Sequence, residues 1–225
     1  MAAEQIDIID LACERDEREL FARLDCCLQA GDVLQVAGPN GAGKTSLLRI
    51  LAGLMPASAG DIHYGGRSIL GGSGREFWRR HLLFLGHATA VKATLSAEEN
   101  LSWLCALDQP VDREAIWDAL AAVGLRGYED VPCRQMSAGQ QRRVALARLR
   151  LQTAKPIWVL DEPTVSLDAA AVGLFAAAVT AHLGAGGTAL IATHIDLGLK
   201  AHSFDITPFR AKSSQRSGAS DEAFL

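Results

Sequence analysis

Apolar residues along this chain gather into short runs separated by turn signals. IDIIDLA and RLDCCLQA read as two strands of an N-terminal β-layer, and DIHY followed by two glycines reads as a short strand and turn. GDVLQVAG, HLLFLG and TALIAT read as buried strands, and IWVLD is apolar up to its last residue, as a central strand of a parallel sheet should be. A final strand is expected around FDITP. Helical runs are SLLRILAGL, SAEENLSWLCAL, DREAIWDALAAVGL, AGQQRRVALARLRLQ and an Ala-rich segment before TALIAT. Three of these helices are bunched between HLLFLG and IWVLD, and elsewhere strands and helices alternate. The pattern predicts an α/β chain of one domain, residues 1–225: a parallel-sheet core over about 1–86 and 153–210, a helical subdomain inserted over about 87–152, and a polar, mobile tail over 211–225.

Composition changes this picture little. With 225 residues and 49% hydrophobic content, the chain can bury a sizeable core, and a net charge of −4 supplies no basic field for nucleic acid. The five cysteines form no CxxC pair and are expected to be reduced and mostly buried. The start, MAAEQIDIID, does not read as a secretory signal. The stretch from Ala169 to Ile195 carries no Asp, Glu, Lys or Arg, but LGAGG divides it, so a helix, a turn and a strand are expected rather than a membrane span.

The clearest chemistry lies at GPNGAGKTS, where a strand runs into a helix. Glycines let the backbone curl so that its N–H groups face phosphate oxygens, and the helix N-terminus adds partial positive charge. Gly38, Pro39, Asn40, Gly41, Ala42, Gly43, Lys44, Thr45 and Ser46 are the candidate phosphate-binding residues of this P-loop. Lys44 can reach the outer phosphates of a nucleotide and the Thr45 hydroxyl can ligate Mg²⁺. Asp161, ending IWVLD, is placed to hold Mg²⁺ directly or through water, and Glu162 to polarise an attacking water.

MSAGQ stands immediately before the basic helix QRRVALARL, SLD follows the LDE of residues 160–162, and a lone His194 follows TALIAT. In this order the motifs resemble those of the ABC-type ATPases over nearly the whole chain. The resemblance implies a RecA-like P-loop core with an antiparallel β-layer and an inserted helical subdomain. It also implies ATP and Mg²⁺ as ligands and a head-to-tail homodimer with ATP sandwiched between protomers. Ser137, Gly139 and Gln140 would contact the partner's nucleotide, Asp168 would lie in the loop crossing the dimer interface, and His194 would sense the γ-phosphate. Two positions depart from the common pattern. The spacing puts Arg15 where most relatives stack an aromatic ring on adenine; a guanidinium can stack in its place, or Arg15 is simply solvent-exposed in a charged loop, CERDERE. Counting back from Asn100 puts His87 where most carry glutamine, at the loop leading into the helical subdomain, and makes it a catalytic candidate whose imidazole could meet Mg²⁺ or the attacking water in glutamine's place.

The FLGH…VK…LSAEENL run, together with CERDERELF and MSAGQQRRVALARL, resembles the ATP-binding subunits of haem exporters that serve cytochrome c maturation. That resemblance implies an ATPase on the cytoplasmic face of the inner membrane, energising haem export or release of a haem-loaded chaperone through separate membrane-spanning subunits. Those subunits would dock near His87 to Leu107, with Trp103 as an anchor or else a core residue. An exporter subunit for another substrate is the alternative. No CxxCH occurs, and His63, His81 and Cys133 read as structural, so direct haem binding is not expected. A soluble ATPase acting on DNA or ribosomes fits less well, because the chain has one ATPase unit and no long heptad run.

Overall fold

In a computed structural model that describes residues 3–210, two sheets share one core. The antiparallel sheet is built from β1 (Ile6–Arg15), β2 (Arg18–Leu28), β4 (Ala59–Tyr64) and β5 (Arg67–Ser68), in the order β2-β1-β4-β5. The second sheet comprises β3 (Val33–Ala37), β6 (Leu82–Leu85), β7 (Ile157–Asp161), β8 (Thr188–Ala192) and β9 (His202–Asp205). Its order is β6-β7-β8-β3-β9 and every pairing is parallel. Both central strands β7 and β8 are buried at every position, which is why they read as unbroken apolar runs. The expected tail over 211–225 lies outside the described residues.

Between the sheets lies α1 (Lys44–Leu51), whose Leu47, Leu48, Ile50 and Leu51 are buried. They join Leu11, Phe21 and Leu24 of the antiparallel sheet and Val36 and Val159 of the parallel one in a single core. On the other face of the parallel sheet, α6 (Ala169–Gly184) contributes Phe175 and Val179 to a second core with Leu83, Leu160 and Ile191. The helices α3 (Ala97–Ala106), α4 (Arg113–Ala122) and α5 (Ala138–Leu151) lie between β6 and β7 in sequence and carry their own core around Leu101, Leu120 and Val144. Each begins at a side-chain cap: Ser96 with Glu99 and Ser137 with Gln140 form capping boxes, and Asp112 accepts from Ala115 N. Among the described residues no helix is long and apolar enough to cross a membrane.

Two local readings differ from the structure. CERDERE, expected as a charged loop, is the end of a hairpin: Arg15 pairs with Arg18 across a two-residue turn, and Asp16 and Glu17 both take positive φ (51° and 59°). The segment GSGREFWRRH, given no element above, forms α2 (Gly72–His81). It buries only Gly74 and Trp78 and begins among glycines, so its periodicity is faint. Trp78 anchors it by donating from Nε1 to the Leu51 carbonyl.

His182, on α6, stacks on Trp158 with ring centroids 3.8 Å apart and planes 9° apart. Burial lowers its pKa from the ordinary 6.5, and hydrogen bonds to the Thr188 and Pro156 carbonyls oppose that only in part. The folded ring is therefore neutral where the unfolded one begins to charge. Stability is fully present above about pH 6.5 and is lost as pH falls from there towards the depressed folded value. In urea unfolding, His182→Gln is expected to flatten the fall in midpoint between about pH 7 and pH 5; an unchanged slope would remove His182 as its cause.

Candidate functional site

The C-terminal ends of β3 and β7 open onto one cleft. Such strand ends are where open α/β sheets place ligands. From β3 the chain curls through Gly38 to Gly43 into α1, with Gly38 and Gly43 at φ 139° and 102°. A side chain would be strained at either position, and a neighbour would have to shift: a Cβ would lie 2.8 Å from Ile206 Cγ2 at Gly38 and 2.9 Å from Phe21 Cδ1 at Gly43. Lys44 is folded back inside this curl, its ammonium donating to the carbonyls of Gly38 at 2.7 Å and Pro39 at 3.2 Å. The adjoining cleft has a volume of about 530 Å³, and Arg15, Asp16, Asn40, Lys44, Thr45 and Glu162 are among the residues that line it.

Asp161 enters from the end of β7. The Thr45 hydroxyl donates to its Oδ1 at 3.2 Å, while its Oδ2 is buried with no hydrogen-bond partner among the described residues. An orphaned buried carboxylate oxygen beside a hydroxyl is a donor set suited to a hard divalent cation. Glu162 follows in a left-handed conformation (φ 50°). Its N–H donates to the Ala192 carbonyl of β8 at 2.8 Å, and its Oε1 lies 3.2 Å from His194 Nε2. Thr193, between β8 and that histidine, shares a 2.7 Å hydroxyl–hydroxyl bond with Thr164. The two loops carrying Glu162 and His194 are thus tied together twice.

Not every candidate meets in this cleft. Ser137 and Gln140 satisfy one another in the capping box at the start of α5. Gly139 packs against the loop that follows Glu162: a Cβ there would lie 2.5 Å from the Ser166 carbonyl oxygen. Asp168 caps α6 by accepting from Ala171 N at 2.8 Å. Arg15 reaches the cleft from the β1–β2 hairpin, with its Nε 3.3 Å from Asp16 Oδ2. His87 lines a different space, an open groove of about 400 Å³ between the core and α5, together with Arg49, Leu54, Phe84 and Arg148. Trp103 is 43% exposed under the Lys92 ammonium, 4.1 Å from its ring centre, so it is not a core residue. His63 pairs with Asp61, His81 packs on Phe77, and Cys133 is buried.

One residue of this region was not singled out from the sequence. Arg142 of α5 is 3% exposed and donates to two backbone carbonyls, Gly86 at 2.9 Å and Glu162 at 2.6 Å. Burial pulls its pKa below the ordinary value, against the opposing charges of Asp161 and Glu162. Helical spacing did hold a signal, since Arg142 shares a helix face with the buried Leu146 and Leu149.

This chain belongs to the ABC transporter family: the model of that family matches residues 21–165. Among curated relatives it is similar to the cytochrome c biogenesis ATP-binding export protein CcmA of Pseudomonas putida, 58% identical over 184 residues that cover 82% of this chain and 86% of that one. The protein of the same name from Yersinia pestis is 49% identical over 193 residues, 86% of this chain and 87% of its own. Among solved structures, a putative ABC transporter ATP-binding protein from Pyrococcus furiosus superposes with a TM-score of 0.79 at 25% identity, over 92% of this chain and 100% of that one. A dimeric ATP-binding cassette bound to ADP and phosphate gives 0.75 at 21% identity over 91% of each chain, a likeness of fold.

Proposed function

We propose that this chain is the ATP-hydrolysing subunit of an inner-membrane ABC complex for cytochrome c biogenesis. It would sit on the cytoplasmic face and energise haem export or release of a haem-loaded chaperone. The observation that carries the ATPase chemistry is the convergence of Thr45, Asp161, Glu162 and His194 on one cleft beside the P-loop. The high identity to the cytochrome c biogenesis proteins supports the choice of complex.

In this reading the P-loop amides and Lys44 bind the phosphates of ATP. Thr45 and Asp161 would hold Mg²⁺, which when bound would neutralise phosphate charge. Glu162 orients a water and accepts its proton as the oxygen attacks the γ-phosphorus, while the bond from that phosphorus to the β–γ bridging oxygen breaks and ADP leaves. His194 is held beside that carboxylate and faces the developing phosphate charge. Two protomers meet head to tail, so that Ser137, Gly139 and Gln140 of one complete the nucleotide site of the other and the Asp168 loop crosses between them. Membrane subunits dock along the groove beside His87, and Trp103 offers a further exposed contact on the helical insertion. Purification from membranes with identification of partners tests the assignment. Recovery of cytochrome c maturation subunits supports it; recovery of an unrelated permease overturns it in favour of an exporter for another substrate.

Two residues of this reading are testable singly. Arg15→Ala is expected to weaken ATP binding by about 3- to 10-fold, the worth of one exposed stacking contact. Unchanged affinity in a nucleotide titration would remove Arg15 as the adenine platform. His87→Gln is expected to keep most ATPase activity and maturation, since an amide and a neutral imidazole both accept and donate. His87→Ala should uncouple turnover from maturation. Wild-type maturation in both would reduce the position to a spacer.

A further inference from the structure

Arg142 takes no part in the binding scheme above, yet it is the only buried arginine among the described residues. Its two arms reach places far apart in sequence. One holds the carbonyl of Gly86, the residue before His87 where the chain leaves β6 for the helical insertion. The other holds the carbonyl of Glu162. Arg142 itself belongs to α5, which starts at Ser137.

What is held at Glu162 is unusual backbone. A glutamate at φ 50° is in a region that side chains seldom occupy, and such a conformation persists only where its surroundings over-determine it. Here both backbone groups of Glu162 are fixed from opposite sides, the N–H by Ala192 of β8 and the carbonyl by Arg142 of α5. The carboxylate direction follows from that backbone, and His194 meets it at 3.2 Å. Only one of these restraints comes from the helical insertion.

We infer that Arg142 is a positioning residue for hydrolysis: seated on α5, it holds the Glu162 backbone so that the carboxylate keeps its aim into the nucleotide cleft. Gly86 is held by the other arm of the same guanidinium, so the loop at His87 and the hydrolytic carboxylate share one clamp. The inference rests on Glu162 being the hydrolytic carboxylate.

The test is steady-state ATPase kinetics of the full chain carrying Arg142→Ala or Arg142→Lys. A misaimed base costs turnover rather than binding, so Arg142→Ala should lower kcat by about 10- to 100-fold with KM for ATP within about threefold. Free guanidinium at low-millimolar concentration should restore part of the lost kcat. Arg142→Lys, which keeps the charge but loses the planar two-armed guanidinium, should fall between, and keeps the test available if the alanine variant does not fold. Unchanged kcat in the variants, or a loss matched by an equal rise in KM without guanidinium rescue, would overturn the clamp. Glu162→Gln separates the two failures. If it keeps full turnover, the reading of Glu162 fails; if it abolishes turnover while Arg142→Lys and Arg142→Ala do not lower kcat, only the clamp fails.

Discussion

Glu162→Gln is expected to lower ATP turnover by about 10²- to 10⁴-fold while leaving ATP affinity within a factor of a few. The amide has the carboxylate's shape and can still meet His194, which lies 3.2 Å from Oε1 in the native protein. It cannot take a proton from water. Because the backbone of Glu162 is fixed at its N–H by Ala192 and at its carbonyl by Arg142, the substituted side chain should point in the same direction. The loss is therefore one of chemistry rather than of geometry. Phosphate release and nucleotide binding measured on the same preparation check this. Turnover that survives the substitution would take the base role from Glu162.

Lys44→Ala should act on binding instead. Lys44 is 8% exposed, and its ammonium rests on the carbonyls of Gly38 and Pro39 inside the loop that would receive the phosphates. Charge-assisted hydrogen bonds contribute about 1.5–3 kcal/mol each, so removing the cation should weaken ATP binding by about 10- to 100-fold. The effect should depend on phosphate number. AMP, which lacks the outer phosphates within reach of Lys44, should bind the variant and the native protein about equally. A calorimetric titration with each nucleotide tests this, and equal weakening of both would mean that the substitution has collapsed the loop.

Much of this site was legible because its chemistry is local. GPNGAGKTS carries its own turn, helix start and cation, and the Asp161–Glu162 pair ends an unmistakable buried strand. Helix starts at Ser96 and Ser137 could be read because a capping box lies within four residues. What escaped was set by tertiary contact. Helix α2 has few apolar positions and is held through Trp78 to Leu51. The hairpin turn places Asp16 and Glu17 in left-handed conformations where Asn-Gly would have announced it. Arg142 meets backbone carbonyls, which every residue has, so no partner residue type marks the pairing. Arg15 and His87 could be located by spacing, but the spacing did not reveal that they face two separate hollows.

The strand order has a bearing on how the protein is made. β3, which delivers the P-loop, is paired on one side with β8 and on the other with β9. Ile206, just beyond β9, stands against Gly38, while Phe21 from β2 stands against Gly43. A ribosome releases the P-loop well before its sheet neighbours β8 and β9 and the wall supplied by Ile206. A chain cut short before β8 carries the nucleotide motif without the sheet that shapes it. The nascent protein is therefore expected to gain the capacity to hold ATP only once β8 and β9 have emerged to pair with β3 through long-range contacts.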